Sequence, residues 1–239
     1  MEPISPLPPQ RVRTPVMLQR WDSLTFLHWP FTPRTIERLL PPQIAIDTFE
    51  GKAWVGLTPF LLSNLRPPLL PPLPFISKFP ETNVRTYVRG PAGGRGVWFF
   101  TLEAHRLLAV LGARVSYRLP YRWAMMSVRQ KNSRVEYRST RHHLFGQGQS
   151  RVIIEPGAKM NPGEFDHFLT ARFRLYTSAS NRIAYAQIEH EPWPLRKACL
   201  LELHQDLFRN SGVPQPSGEP ILHFSEKLTV KIGRLRWLS

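Results

Sequence analysis

Apolar and polar residues alternate along most of this chain, and the alternating runs come in pairs separated by turn residues. That is the signature of antiparallel hairpins. "RWDSLTFLHW" predicts a first strand, and "AIDTFEGKAWVGLTPFLL" predicts a hairpin turning at Glu50-Gly51. Residues 79–106, "FPETNVRTYVRGPAGGRGVWFFTLEAHR", predict a second hairpin around a glycine-rich loop. "WAMMSVRQKNSRVEYRSTR" turns at Lys131-Asn132-Ser133, and "TARFRLYTSASNRIAYAQIEHEPWPL" turns around Ala179–Asn181. "SRVIIEPG" and "EPILHFSEKLTVKIGRL" predict further strands. Helical spacing is confined to short stretches. Thr32 and Pro33 open a helix over Arg34–Leu40 that Pro41-Pro42 stop. Leu107, Leu108, Leu111 and Val115 give the main helical signal, and shorter helices are predicted over Asn161–Thr170 and within "LHQDLFRNSG", ended by Gly212. The pattern is that of an antiparallel α+β fold. "NLRPPLLPPLPFISKFP" fits neither element, because proline removes the donor that a sheet or helix needs. A loop of that length is a lid, a pocket wall or a linker, and its leucines and phenylalanines predict burial.

The second hairpin carries the candidate chemistry. With Val84 opposite Leu102, Thr86 opposite Phe100 and Val88 opposite Trp98, one side is apolar. Asn83 then faces Glu103, Arg85 faces Thr101 and Tyr87 faces Phe99, and Glu81 shares that polar side. A one-residue slip would mix the two sets and bury charge. The polar side is either wet surface, as on many antiparallel sheets, or the lining of a pocket inside a curved sheet. On the second reading Arg85 reaches Glu103 diagonally, and Glu81 lies deeper.

Composition narrows the class. A chain of 239 residues with 42% hydrophobic residues builds a substantial core. A single cysteine, Cys199, excludes an internal disulfide and a cysteine-rich metal site; it reads as a core residue. The proline-rich start, residues 1–15, reads as a flexible tail without an apolar export core, ahead of one domain over residues 16–239. No apolar run is long enough to span a bilayer, so the expectation is a cytoplasmic protein without membrane contact. The formal charge is +15, and residues 81–151 hold 13 Lys and Arg against 3 Asp and Glu. That concentration suits an anionic ligand or nucleic acid. The arginines are nevertheless dispersed singly, without the basic stripe interleaved with aromatics that single-strand binding needs, so no specific nucleic-acid binding is expected. The adjacent His142 and His143 point to opposite faces on a strand, and no histidine set has ligand spacing, so no metal and no cofactor are expected. "IEHEPWPL" reads as a strand end leaving the sheet, with a pocket rim as the alternative.

Several segments in order resemble one family. "RWDSLTFLHWPFTPRTIERLLPPQIAIDTFEGKAWVGLTPFLL", "PPLPFISKFPETNVRTYV", "GVWFFTLEA", "YRLPYRWAMM" and "HEPWPL" are similar to the YqjF-like family of uncharacterised conserved proteins, over roughly residues 17–235. That family is similar in fold to acetoacetate decarboxylase. The resemblance implies a curved antiparallel sheet closed into a cone-like barrel around a cavity, with a few short helices. Acetoacetate decarboxylase forms a Schiff base on a lysine; the matching "RLPYRW" segment here has Tyr121 and Arg122 at the lysine positions, and no lysine lies between Lys78 and Lys131. Arginine stays protonated and forms no imine. Glu81 matches the pocket glutamate of that family.

The expectation is therefore a small-molecule-binding protein, an enzyme or not, taking a carboxylate or other oxyanion without imine chemistry. Glu81 and Glu103 are the candidate acid–base residues, and Asn83, Arg85, Tyr121 and Arg122 the candidate ligand contacts. A nucleic-acid module using the basic middle, or a barrel that is only structural, are the alternatives. The oligomeric state is not legible.

Overall fold

The computed structural model describes residues 2–238. β1 (Pro15–Phe31) leads through α1 (Pro33–Glu37) and two short strands, β2 (Ala45–Ile46) and β3 (Thr48–Phe49), into β4 (Lys52–Arg66). β5 (Phe79–Arg89) and β6 (Arg95–Ala104) form the central hairpin, followed by α2 (Leu107–Ser116). β7 (Tyr121–Lys131), β8 (Arg134–Arg141) and β9 (Gln149–Lys159) make a meander, and α3 (Glu164–Thr170) follows. β10 (Arg174–Ala179), β11 (Arg182–His190), β12 (Leu195–Gln205), α4 (Leu207–Asn210), β13 (Ile221–Gly233) and β14 (Arg236–Trp237) complete the chain. The predicted turns sit where left-handed backbone is needed, at Glu50-Gly51, Asn132 and Ser180-Asn181. β12 had no counterpart in the sequence reading.

All strands join one sheet whose pairings return on themselves twice. One ring runs β6-β5-β4-β1-β13-β11-β10 and back to β6. The other runs from β6 through β7, β8, β9 and β12 to β13, and returns through β1, β4 and β5. The two rings share the long strands β1, β4, β5, β6 and β13. Joins are antiparallel except β6–β7 and β6–β10. The larger ring encloses a solid core that includes Trp29, Leu57, Val84, Tyr137, Ile154 and Phe208. The smaller ring encloses a cavity.

Because rings cover both faces of β5 and β6, neither face of the central hairpin is wet. Polarity therefore does not set its register, and the expected pairing is corrected. Asn83 pairs with Leu102 and Val84 with Thr101, but Arg85 pairs with Phe99 and Tyr87 with Val97. Phe100 is the extra residue of a bulge. Bulges re-aim the side chains beyond them. Here Phe99 and Val97 share a face with Arg85 as expected, while Leu102 is turned onto that face and Thr101 and Glu103 are turned off it.

Two apolar segments are exposed. Leu69, Leu70, Leu73 and Phe75 of the proline-rich loop face solvent, contrary to their expected burial. On α2 it is Val110 that is buried, while Leu108, Leu111 and Val115 point outward. Cys199 is also exposed rather than in the core. Residues 2–14 carry no regular element, but Glu2 pairs with Arg174, and the Val12 amide donates to Glu189.

Candidate functional site

The smaller ring holds a cavity of about 300 Å³, and each of its seven strands contributes lining. Most of the wall is apolar, with Trp21, Phe60, Phe99, Leu102 and Trp193 prominent. The small residues Ala109, Gly112, Ala113 and Ser116 of α2 form one side. Among the described residues Gly112 and Ser116 are the only lining residues that remain exposed, so the cavity opens along α2.

The polar lining is sparse and comes first from β5. Strand alternation places Glu81, Asn83 and Arg85 on one face, and that face is the cavity wall. Glu81 is buried, and the Tyr121 hydroxyl donates to its Oε2 at 3.0 Å. Burial pushes the Glu81 carboxyl up to about 8, against the opposing effect of hydrogen bonds from Tyr121 and Asn83. At neutral pH it is mainly a neutral acid with a proton to give. Burial, together with the Glu81 charge, holds the Tyr121 phenol well above its usual range, so Tyr121 acts as a donor.

Arg85 is the unusual group. It is buried, no carboxylate lies within ion-pair distance among the described residues, and its Nε and Nη2 have no hydrogen-bond partner. Its guanidinium carbon sits 5.1 Å from the Phe26 ring centroid and 5.9 Å from that of Tyr87. Aromatic faces compensate only part of the cost of desolvating a cation. Asn83 Oδ1 and Thr58 Oγ1 are likewise buried and unpartnered on the same wall. Arg172, from the segment after α3, also lines the cavity; Asp47 and the Phe168 carbonyl hold two of its nitrogens and leave Nη2 unpartnered.

Behind Arg85 lies a fixed neutral scaffold. Tyr87 donates its hydroxyl to the Leu169 carbonyl, so His28 Nε2, 2.5 Å from that hydroxyl, is the donor in their bond. Burial, then the Arg85 charge, lowers the His28 pKa well below its ordinary value and keeps the ring neutral. Gly56 permits this packing, since a Cβ there would meet the His28 ring at 2.9 Å. His190, at the end of β11, lines the cavity, and burial lowers its pKa to about 4. The "IEHEPWPL" segment is thus both a strand end and part of the wall.

Glu81, Asn83, Arg85 and Tyr121 are therefore brought together, and Glu103 and Arg122 are not. The bulge turns Glu103 into the larger ring, where Arg141 grips it through Nη2 at 2.6 Å and Nε at 3.0 Å, and Thr101 donates at 2.8 Å. The expected Arg85–Glu103 pair does not form. Arg122 neighbours Tyr121 on β7 and so points to the other side, into a shallow surface recess with Arg114 and Arg118. Arg141, Arg172 and Thr58 were not singled out in the sequence, where His190 figured only within "IEHEPWPL"; Thr58 and His190 come from β4 and β11, Arg141 from β8, and Arg172 from the segment after α3. Among the described residues no group of three His, Cys, Asp or Glu side chains could hold a metal ion. Among the described residues no lysine lines the cavity.

Comparison with known proteins accords with this geometry. The DUF2071 family, described as an uncharacterized conserved protein, matches residues 18–229. The protein YqjF of Bacillus subtilis, also described as uncharacterized, is 36% identical over 224 residues, which is 92% of each chain. Among solved structures, the acetoacetate decarboxylase of Legionella pneumophila superposes with a TM-score of 0.64 at 12% identity, covering 100% of this chain and 96% of that one. An acetoacetate decarboxylase-like enzyme from Sphingomonas wittichii gives 0.64 at 9% identity, with 97% and 96% covered. The enduracididine biosynthesis enzyme MppR, complexed with pyruvate, gives 0.63 at 13% identity, with 97% and 93% covered. At such identities the likeness is one of fold.

Proposed function

The chain belongs to the DUF2071 family of uncharacterized conserved proteins, and from that premise we propose that it binds a small oxyanion, a carboxylate above all, inside the smaller ring, with Glu81 as the proton-exchanging group. The observation that carries this reading is Arg85: a buried guanidinium with two unpartnered nitrogens on the wall of a mostly apolar cavity. A ligand carboxylate would supply the acceptor that the protein withholds, and planar forked donors suit it. Arg172 Nη2 and the Thr58 hydroxyl supply further donors, and Trp21, Phe60 and Leu102 suit an apolar body.

Glu81 stands four residues from Arg85 along β5, about 13 Å of strand. A ligand anchored at Arg85 would present its far end to the Glu81 carboxyl, which is protonated at neutral pH and oriented by Tyr121. Acid–base chemistry is the class this pair supports. Imine chemistry is not, because among the described residues the cavity wall has no amine. The neighbour MppR is complexed with pyruvate, which makes 2-oxo acids the first ligands to try. The test is calorimetric titration of the full chain with pyruvate, acetoacetate and longer aliphatic 2-oxo acids, against the matching alcohols. Binding of the acids alone, lost at least tenfold in Arg85→Met with the fold intact, is the expected result. Equal affinity of wild type and Arg85→Met for every acid that binds would remove the basis of the proposal.

A further inference from the structure

α2 has two faces, and the apolar one points the wrong way for a core helix. Its small residues line the cavity mouth, while Leu108 is 68% and Val115 71% exposed, with Leu111 between them. A soluble helix normally turns such a stripe inward. Beside it stands the proline-rich loop, where Leu69 is 99% and Phe75 83% exposed. The two segments share a base. Leu65, at the loop's entry, packs in one cluster with Ala109 and Val110, and the His105 amide donates to the Pro80 carbonyl at its exit. The Leu65 amide donates to the Ser77 carbonyl, closing the loop into a projection rather than a free linker. Phe145 joins the same cluster and lies under the Arg114 guanidinium, and the adjoining Leu144 is exposed.

The two segments that make this patch carry charge of one sign. Residues 64–80 and 104–122 contain six basic residues, Arg66, Lys78, Arg106, Arg114, Arg118 and Arg122, and no Asp or Glu. The flanking carboxylates Glu81 and Glu103 are both buried. Apolar side chains projecting beyond a cationic rim match a bilayer of anionic lipid, with leucines and phenylalanine entering the acyl boundary and arginines meeting the headgroups. We propose that α2 and the loop over residues 67–78 dock this protein reversibly on an anionic lipid surface, with the cavity mouth at Gly112 and Ser116 facing the membrane. This is a peripheral contact; among the described residues no helix is long and apolar enough to cross a membrane. It stands independently of Arg85 and of the ligand's identity.

The test is co-sedimentation of the full chain with vesicles of phosphatidylcholine alone and with about one-third phosphatidylglycerol. The expected result is binding to the anionic vesicles at least tenfold tighter than to the neutral ones, weakening as salt rises. Two double variants, Leu108→Ser with Val115→Ser and Arg114→Glu with Arg118→Glu, should each reduce that binding at least tenfold while thermal melting is unchanged. The loop variant Phe75→Ser gives a second reading of the apolar contribution, away from α2. No vesicle binding by the wild type, or binding that both double variants keep, overturns the proposal. So does an oligomer that the Leu108→Ser, Val115→Ser variant splits while vesicles bind neither form; the patch would then belong to a second copy of this chain.

Discussion

Replacing Glu81 by glutamine should make the protein more stable, and the gain should grow with pH. The carboxyl titrates near 4.5 when solvated and at about 8 in the folded chain, because burial penalises its charge. Between those values the unfolded chain has released the proton and the folded chain keeps it. Folding then takes up a proton, and stability falls as pH rises. Wild type thus loses about 1.4 kcal/mol per pH unit relative to Glu81→Gln in this window. The difference accumulates to about 5 kcal/mol above pH 8 if the site stays dry. Water entering past Gly112 and Ser116 would reduce it to roughly 2–3 kcal/mol. Glutamine keeps an oxygen for the Tyr121 hydroxyl, so the hydrogen bond at Oε2 has a replacement.

Urea denaturation of both proteins at pH 5.5, 7 and 8.5 measures this directly. Burial lowers the pKa values of His28, His190 and His223, so they lose stability in the opposite direction, as pH falls below their solvated value of 6.5. They are common to both proteins and cancel in the difference. A stability difference that stays flat across the range would mean that Glu81 is ionised in the fold, and its role as proton donor would fall with it.

Other consequences are as definite. Incubation with acetoacetate or pyruvate and borohydride should leave the intact mass unchanged, since among the described residues no lysine lines the cavity; a reduced adduct on any residue of the wall would contradict this. Arg85→Met should leave the free protein as stable or about 1–2 kcal/mol more stable, because an unpaired buried cation is replaced by an apolar chain; a loss above about 2 kcal/mol in urea would show that Arg85 is structural. Arg141→Met should cost about 3–5 kcal/mol, because Glu103 is left fully buried without its partner. Adding Glu103→Gln should recover part of that loss, and equal stability of the single and double variants would count against the ion pair.

Local structure was legible because the hairpin turns announce themselves. Glu50-Gly51, Lys131-Asn132-Ser133 and Ala179–Asn181 are residues that tolerate left-handed backbone, and strands end there. Ring closure was less legible, because it depends on pairings such as β11 with β13 that join residues far apart in sequence. Period alone misled at α2. Leu107, Leu108, Leu111 and Val115 do form a helix, but the face turned to the cavity is the one with alanine, glycine and serine. Small residues carry no hydropathy signal, and here a helix has to lie close over a space that must stay open.

The site was half legible for a reason that one residue explains. Alternation along β5 needs no tertiary knowledge, so Glu81, Asn83 and Arg85 fall on one face whatever the sheet does. Their partners across the ladder depend on register, and register was inferred from keeping polar and apolar residues on separate sides, which this hairpin, buried on both faces, does not do. Continued alternation from Phe99 would put Thr101 and Glu103 opposite Arg85, as an ordinary ion-paired arginine requires. Phe100 bulges out, and the residues after it change sides. Leu102 enters the cavity, and Glu103 goes to Arg141 in the other ring. The bulge therefore does more than correct a pairing. It removes the carboxylate that would have neutralised Arg85 and leaves a leucine on the same wall, so the cavity's cation is unpaired because of where one phenylalanine sits. Among the described residues no carboxylate reaches that guanidinium, and on the proposed reading a bound oxyanion would supply what the bulge has turned away.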